Sequence, residues 1–297
     1  MNSANGVSQG RVAKAHHLFR GAAEVTKRLR QLALALELAA AVIAAWSGLS
    51  GAVLWGGWAS LVMLLLMFLA MSLRAWSRST HNYSERCRRL SITAFAYGDE
   101  IGAAVLSGLV VDAPPFAESF AARLPAKTLD EYYEPTAAAG RWRLQELYAH
   151  SSFYSWRLLN RAGWLFLSVG VLVALGGVIV IYGMALPSAD SSMAGRFLDF
   201  VCSLVFVVLA FKAFDAAADA FVASRGARGV ADVLVATRDS DRAEEQAAHY
   251  DMERVSGPTV PTRIYEMSRK RLQQEWHERR RALDEIEQST GTRGSRI

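Results

Sequence analysis

Glu37 is the first residue of this chain whose type and place suggest chemistry. It is a carboxylate in the otherwise apolar run LALALELAAAVIAAWSGL, Leu32 to Leu49. Centring a charge in a bilayer costs at least ~2.5 kcal/mol on insertion scales, so a carboxylate in such a run is paired, protonated or beside an aqueous path. Two readings follow. Either Glu37 sits near the cytoplasmic headgroups beside a basic neighbour such as Arg30, or it faces the interior of a bundle and lines a pore-forming interface. Lys212, Asp215 and Asp219 share one helical face at the inner end of another apolar run. Lys212 and Asp215 have the i,i+3 spacing of a local ion pair; a ring of such groups at the inner mouth of an oligomer is the sharper alternative. These four are the candidate intramembrane polar residues.

Familiar catalytic patterns are missing from the sequence. It has no Walker-type glycine loop, no zincin histidine pair and no nucleophile elbow. Its two cysteines, Cys87 and Cys202, suggest no disulfide framework, and its 6 scattered His offer no zinc set. The expectation is a protein that is not an enzyme, with no metal and no cofactor.

A second set of candidates is aromatic: Tyr132, Tyr133, Trp142, Tyr148, Phe153, Tyr154 and Trp156. Rings at helical spacing pack a small helical core or line the bilayer surface. The functional alternative is that some of them stack on a planar ligand such as a nucleobase. Further on, Ser256 to Pro261, stiffened by Pro258 and Pro261, breaks the tail just before Arg263 and Tyr265. These residues are candidate cytoplasmic contacts.

Four apolar blocks must position these groups: Leu32–Leu49, Ala52–Leu73, Ala162–Leu186 and Phe197–Phe211. A spanning helix needs ~20 mostly apolar residues for a ~30 Å hydrocarbon core, and lipid leaves no partner for unpaired backbone amides. The expected fold is an all-α integral membrane protein with four transmembrane helices as two hairpins. Its parts are residues 1–31, a cytoplasmic basic helix; 32–73, the first hairpin; 74–161, a cytoplasmic helical region; 162–213, the second hairpin; and 214–297, a charged helical tail. The first block begins too far into the chain for a cleaved signal peptide, and a second follows it directly.

Charge orients the blocks. The formal net charge is +5, and the Arg and Lys excess collars the membrane segments, as with Arg11, Lys14, Arg20, Lys27, Arg28 and Arg30 before the first. The opposite loops carry no charge in one case and only Asp190, Arg196 and Asp199 in the other. By the positive-inside rule both termini lie in the cytoplasm. The basic balance thus reflects topology, and no nucleic acid polymer is expected as a partner. Trp46, Trp55, Trp58, Trp76, Trp164 and Tyr182 suit interfacial anchors.

Within the cytoplasmic parts, helices are predicted over Tyr83–Phe95, Tyr97–Val111 (as a continuation or a second helix), Phe116–Leu124, Leu129–Tyr133 and Ala138–Asn160. The tail is predicted helical to about Glu253, with Gly226 and Gly229 as interruptions, and again over Ile264–Gln288. Ser289 to Ile297 is predicted disordered.

The order of spans, cytoplasmic middle, spans and charged tail resembles the SMODS-associated four-transmembrane effector family. The likeness covers nearly the whole length and is sharpest at His150–Trp156 (HSSFYSW) and at Pro261–Tyr265 (PTRIY) followed by Arg269. The nearest counterpart of the family's proline–tryptophan pair after the first hairpin is Val111 to Phe116. The resemblance implies a bacterial inner-membrane effector of antiphage signalling. Such a protein responds to a cyclic oligonucleotide ligand made by a nucleotidyltransferase partner, acts as a homo-oligomer and disrupts the lipid bilayer. Two other readings stay open, an ion channel or transporter using Glu37 and Lys212, and a membrane scaffold docking proteins through Ile264–Gln288.

Overall fold

The computed structural model describes residues 2–50, 56–99, 101–124, 129, 133, 135–185, 193–236, 240–258 and 260–294. Among the described residues all regular structure is helical: α1 (Asn2–Ser50), α2 (Gly56–Tyr97), α3 (Ala103–Val111), α4 (Ala117–Arg123), α5 (Arg141–Ala185), α6 (Met193–Ala236), α7 (Ser240–Ser256) and α8 (Thr262–Gly294).

Four of these helices are far longer than a bilayer requires. α1, α2, α5 and α6 have 49, 42, 45 and 44 residues, and a rise of ~1.5 Å per residue makes each over 60 Å long. Each has an apolar half and a polar half. α1, α2 and α5 are long and apolar enough to cross a membrane, and their apolar windows are only 28%, 17% and 22% buried. Leu38, Val42, Phe68, Leu172 and Ile179 point outward. A soluble bundle buries such side chains against itself, whereas a bilayer takes them as they stand. α6 carries the remaining apolar run, with Phe200 and Phe211 exposed.

The helices are more continuous than the sequence suggested. The basic N-terminal segment and the first apolar block form one helix, and the second apolar block runs unbroken through Tyr83–Phe95 to Tyr97. Gly98, at φ 71°, stops it; glycine takes the left-handed conformation that ends helices without steric cost. Tyr97–Val111 is therefore no continuation, and α3 starts anew at Ala103. Gly226 and Gly229 do not interrupt α6. Gly226 instead makes room for α7, because a Cβ there would fall 2.3 Å from a Glu253 carboxylate oxygen. α8 continues as helix to Gly294, past the expected end at Gln288. The predicted Leu129–Tyr133 helix lies largely outside the described residues.

α5 and α6 close on each other through a repeat that composition hid. Gly163, Gly170 and Gly177 recur every seven residues along α5. A Cβ at each would come within 2.8, 3.0 and 3.0 Å of Phe221, Phe214 and Phe206 of α6. Glycine holes thus receive phenylalanine knobs along the length of the hairpin, and small residues are what let membrane helices approach. The two hairpins meet at Ala44, Met63, Val201 and Val205. Outside the apolar belt, Ile92, Leu147, Phe153, Val230, Leu234 and Trp276 join α2, α5, α6 and α8 in one core. Ala15, Leu18, Cys87 and Leu109 seat α3 on the first hairpin.

Candidate functional site

Glu37 is 2% exposed, and its two carboxylate oxygens go to different helices. Oε2 accepts from Arg74 Nη2 of α2 at 2.5 Å, and Oε1 accepts from Lys212 Nζ of α6 at 3.0 Å. One anion thus joins the first hairpin to the second, between two cations that are 41% and 28% exposed. The expected neighbour Arg30 turns elsewhere, with Nε 3.0 Å from Ser77 Oγ. Lys212 reaches across to Glu37 in place of the local pair with Asp215; Asp215 and Asp219 are exposed on α6.

A second charged group lies farther along α2, eleven to fourteen residues past Arg74 and so ~16–21 Å away by helical rise. Glu85 and Arg88 of α2 meet Asp251 and Arg254 of α7. Arg88 Nε donates to Glu85 Oε2 at 2.6 Å and its Nη2 to Asp251 Oδ1 at 2.6 Å, while Arg254 Nε reaches Glu85 Oε2 at 2.9 Å. Arg88, Glu85 and Asp251 are 2%, 4% and 6% exposed. The remaining lone pairs and protons are used as well. Tyr148 of α5 donates its hydroxyl to Asp251 Oδ2 at 2.6 Å, and Tyr250 donates to the Ser151 carbonyl at 3.0 Å. Ser155 lies 2.6 Å from the Tyr250 hydroxyl and accepts from Arg254 Nη1 at 2.8 Å.

The two acids balance Arg88 and Arg254, and a third guanidinium, the exposed Arg89, reaches Asp251 Oδ2 at 3.5 Å. Burial alone would raise the Glu85 carboxyl, but Arg254 and Arg88 outweigh it and hold it down at about 2. Burial likewise works against the Arg88 charge, and Glu85, Tyr250 and Asp251 more than restore it. A buried ion pair is stable only where its geometry and extra hydrogen bonds repay desolvation, and this one has both.

The aromatic candidates form a packed layer under the tail. His150 lies 5.5 Å from Tyr133, 4.5 Å from Tyr154 and 4.9 Å from Trp276, and Phe153 lies 5.6 Å from Trp276, centroid to centroid. Phe153 and Tyr133 are buried, Tyr154 and Trp156 partly so, and Trp142 is exposed. Arg157 and Arg228 stand 4.5 and 5.1 Å over the Trp156 ring. Arg280 pairs with Glu146, and Arg279 with Asp232 at 2.9 Å, so α8 is fastened to α5 and α6 by charge as well as by Trp276. The packing reading of these rings fits this layer; a base would have to displace one ring from another. Pro258 and Pro261 occupy the partly buried break between α7 and α8, Tyr265 is partly buried and Arg263 is exposed. Tyr132 lies outside the described residues.

Sequence reasoning brought Glu37 and Lys212 to notice separately and missed that they touch. It gave Glu85, Asp251 and Arg254 no role, and Arg88 none beyond that of a cation following the second apolar block. The available signal was the pair Ser151 and Ser155, two hydroxyls at i,i+4 in an aromatic stretch, which face Tyr250. Among the described residues no group of His, Cys, Asp and Glu could hold a metal. No protein-family model, curated protein or solved structure matches this chain.

Proposed function

We propose that this chain is a non-enzymatic effector of the bacterial inner membrane. It crosses the bilayer four times as two hairpins with both termini in the cytoplasm. It breaches the membrane when a cytoplasmic signal arrives, and the antiphage resemblance makes that signal a cyclic oligonucleotide supplied by a nucleotidyltransferase partner. The single observation that carries the reading is the continuity of α2. One unbroken helix holds Arg74 against Glu37 beside its apolar half and Glu85 and Arg88 against α7 in its polar half.

A ligand shifts such a molecule only by binding one arrangement better than another. Here, binding that draws α7 away from α2 leaves Glu85 and Arg88 without Arg254 and Asp251. The helix then shifts or turns to find new partners, and Arg74 moves with it. Glu37 loses one of its two cations, and the joint between the hairpins loosens. Association of several copies through the exposed apolar faces would complete the lesion.

Dye release from liposomes carrying the purified chain tests this. Release that depends on one class of cyclic oligonucleotide is the expected result. No release with any such nucleotide, with or without a nucleotidyltransferase, would count against it. A channel reading has one observation in its favour, the Glu37–Lys212 contact at the junction of the hairpins. It predicts constitutive, ion-selective current without nucleotide. A scaffold reading rests on the exposed polar face of α8 and predicts that removing residues after Gly257 abolishes function while insertion persists.

A further inference from the structure

Where the middle of α5 packs on the later half of α6, the two helices flank a surface groove of about 410 Å³, lined by Trp156, Asn160 and Trp164 of α5 and by Phe221, Ser224, Arg225 and Arg228 of α6. Its two ends differ in character. Toward the apolar half of α5 its lining ends at Trp164, which is exposed and is followed along the helix by the exposed Leu165, Val169 and Leu172. Away from the membrane its rim is cationic. Arg225 forms no ion pair among the described residues. Arg228 is held over the Trp156 ring at 5.1 Å, and its nearest carboxylate, Asp232 at 3.6 Å, lies closer to Arg279, at 2.9 Å. The walls are fixed: Ser224 donates to the Trp156 carbonyl at 3.2 Å, and the Trp164 and Phe221 rings meet edge to face at 5.5 Å.

A ligand matched to this groove carries an anion at one end and hydrocarbon at the other. We propose that it is a headgroup site for an anionic phospholipid of the cytoplasmic leaflet. The phosphate lies against Arg225 and Arg228, with Asn160 at its polar edge, and the acyl chains leave past Trp164 and Leu165. Guanidinium forks suit phosphate oxygens, tryptophan suits the headgroup level, and basic pockets between membrane helices on the cytoplasmic side are where anionic headgroups bind. A free phosphate shares the anionic half of this chemistry but has no use for the apolar opening. The inference goes beyond the effector reading and needs only that α5 and α6 lie in a bilayer.

The test is native mass spectrometry of the full chain, equilibrated with equal amounts of phosphatidylglycerol and phosphatidylcholine. Two guanidiniums predict retention of phosphatidylglycerol over phosphatidylcholine by roughly thirtyfold. Arg225→Gln, at an exposed residue with no ion pair among the described residues, should cut the preference by about fivefold. Arg225→Gln with Arg228→Gln should bring it close to even. Arg263→Gln, at an exposed tail arginine that does not line the groove, should leave it unchanged. Equal retention by the wild type, or an undiminished preference in the double variant, would overturn the site. So would an equal loss with Arg263→Gln, which would make the effect one of general charge. Displacement of the lipid by inorganic phosphate at matched concentration would replace the lipid by a free anion. Alkaline extraction of the wild type from membranes would overturn the site together with the four-span reading, whereas failure of dye release alone would leave it standing.

Discussion

Arg88 and Asp251 are 163 positions apart in the chain, yet Nη2 and Oδ1 lie 2.6 Å apart with both side chains buried. The contact ties the polar half of α2 to α7, the helix that follows α6. Truncating one partner leaves the other charged and uncompensated, which in buried pairs costs about 3–5 kcal/mol. Asp251→Ala should therefore lower the thermal midpoint of the detergent-purified protein strongly. Tyr148→Phe, which removes one hydrogen bond to the same carboxylate, should cost about 1.5–3 kcal/mol. Arg88→Met combined with Asp251→Leu should recover much of the loss. A midpoint unmoved by Asp251→Ala would mean that the pair holds nothing.

The joint at Glu37 makes a different prediction. Glu37→Gln keeps the shape and removes the charge, so Arg74 and Lys212 face each other without an anion between them. Nucleotide-independent dye release should rise several-fold. Lys212→Met added to Glu37→Gln should change little further, because the pair is already broken. If the two substitutions act additively on leakage, Glu37 and Lys212 do not work as a unit.

The glycine seam can be tested by overfilling it. A Cβ at position 163 would sit 2.8 Å from the Phe221 ring, and forcing extra methyl groups into packed positions costs about 1–3 kcal/mol. Gly163→Ala should lower the thermal midpoint, and Phe221→Leu in the same chain should restore part of it. Restoration of nothing would show that the ring and the glycine are not each other's partners.

Acid should weaken the protein through His150. Burial, with His277 and Arg280 nearby, lowers its pKa to about 3. The folded state therefore keeps this ring neutral, while the unfolded chain takes up a proton below the ordinary value near 6.5. Its contribution is complete above pH 6.5 and is lost progressively as the pH falls toward 3. By linkage the loss at pH 5 is roughly 2 kcal/mol. Melting curves at pH 7 and pH 5 should separate clearly for the wild type and less so for His150→Phe. Equal separation in both would assign the acid sensitivity to other groups.

How much of this was readable beforehand depends on the distance over which each feature is encoded. The apolar windows of α1, α2 and α5 are local and were legible from hydropathy alone. So was the suspicion attached to Glu37, since one carboxylate stands out in eighteen apolar positions. Its partners were not legible. Arg30 lies on the same helix, two turns away, whereas Arg74 and Lys212 arrive only when the hairpins fold. The Lys212–Asp215 pair failed for the same reason: a local spacing permits a contact, and a buried carboxylate nearby competes for it successfully. Glu85, Arg88, Asp251 and Arg254 read as ordinary residues of charged helices until three helices converge. The Gly163–Gly170–Gly177 period is visible in the sequence, but nothing local says that Phe221, Phe214 and Phe206 of a different helix fill the gaps.

The proposed function depends on four crossings with both termini on one side of the bilayer, and sided reporter fusions measure that directly. Alkaline phosphatase should be active when fused after Ser188 and inactive when fused after Arg141 or Gly294, with a cytoplasm-dependent fluorescent reporter giving the reverse. Phosphatase activity at Arg141 or at the tail would put the Arg88–Asp251 cluster on the wrong side of the membrane and contradict the account.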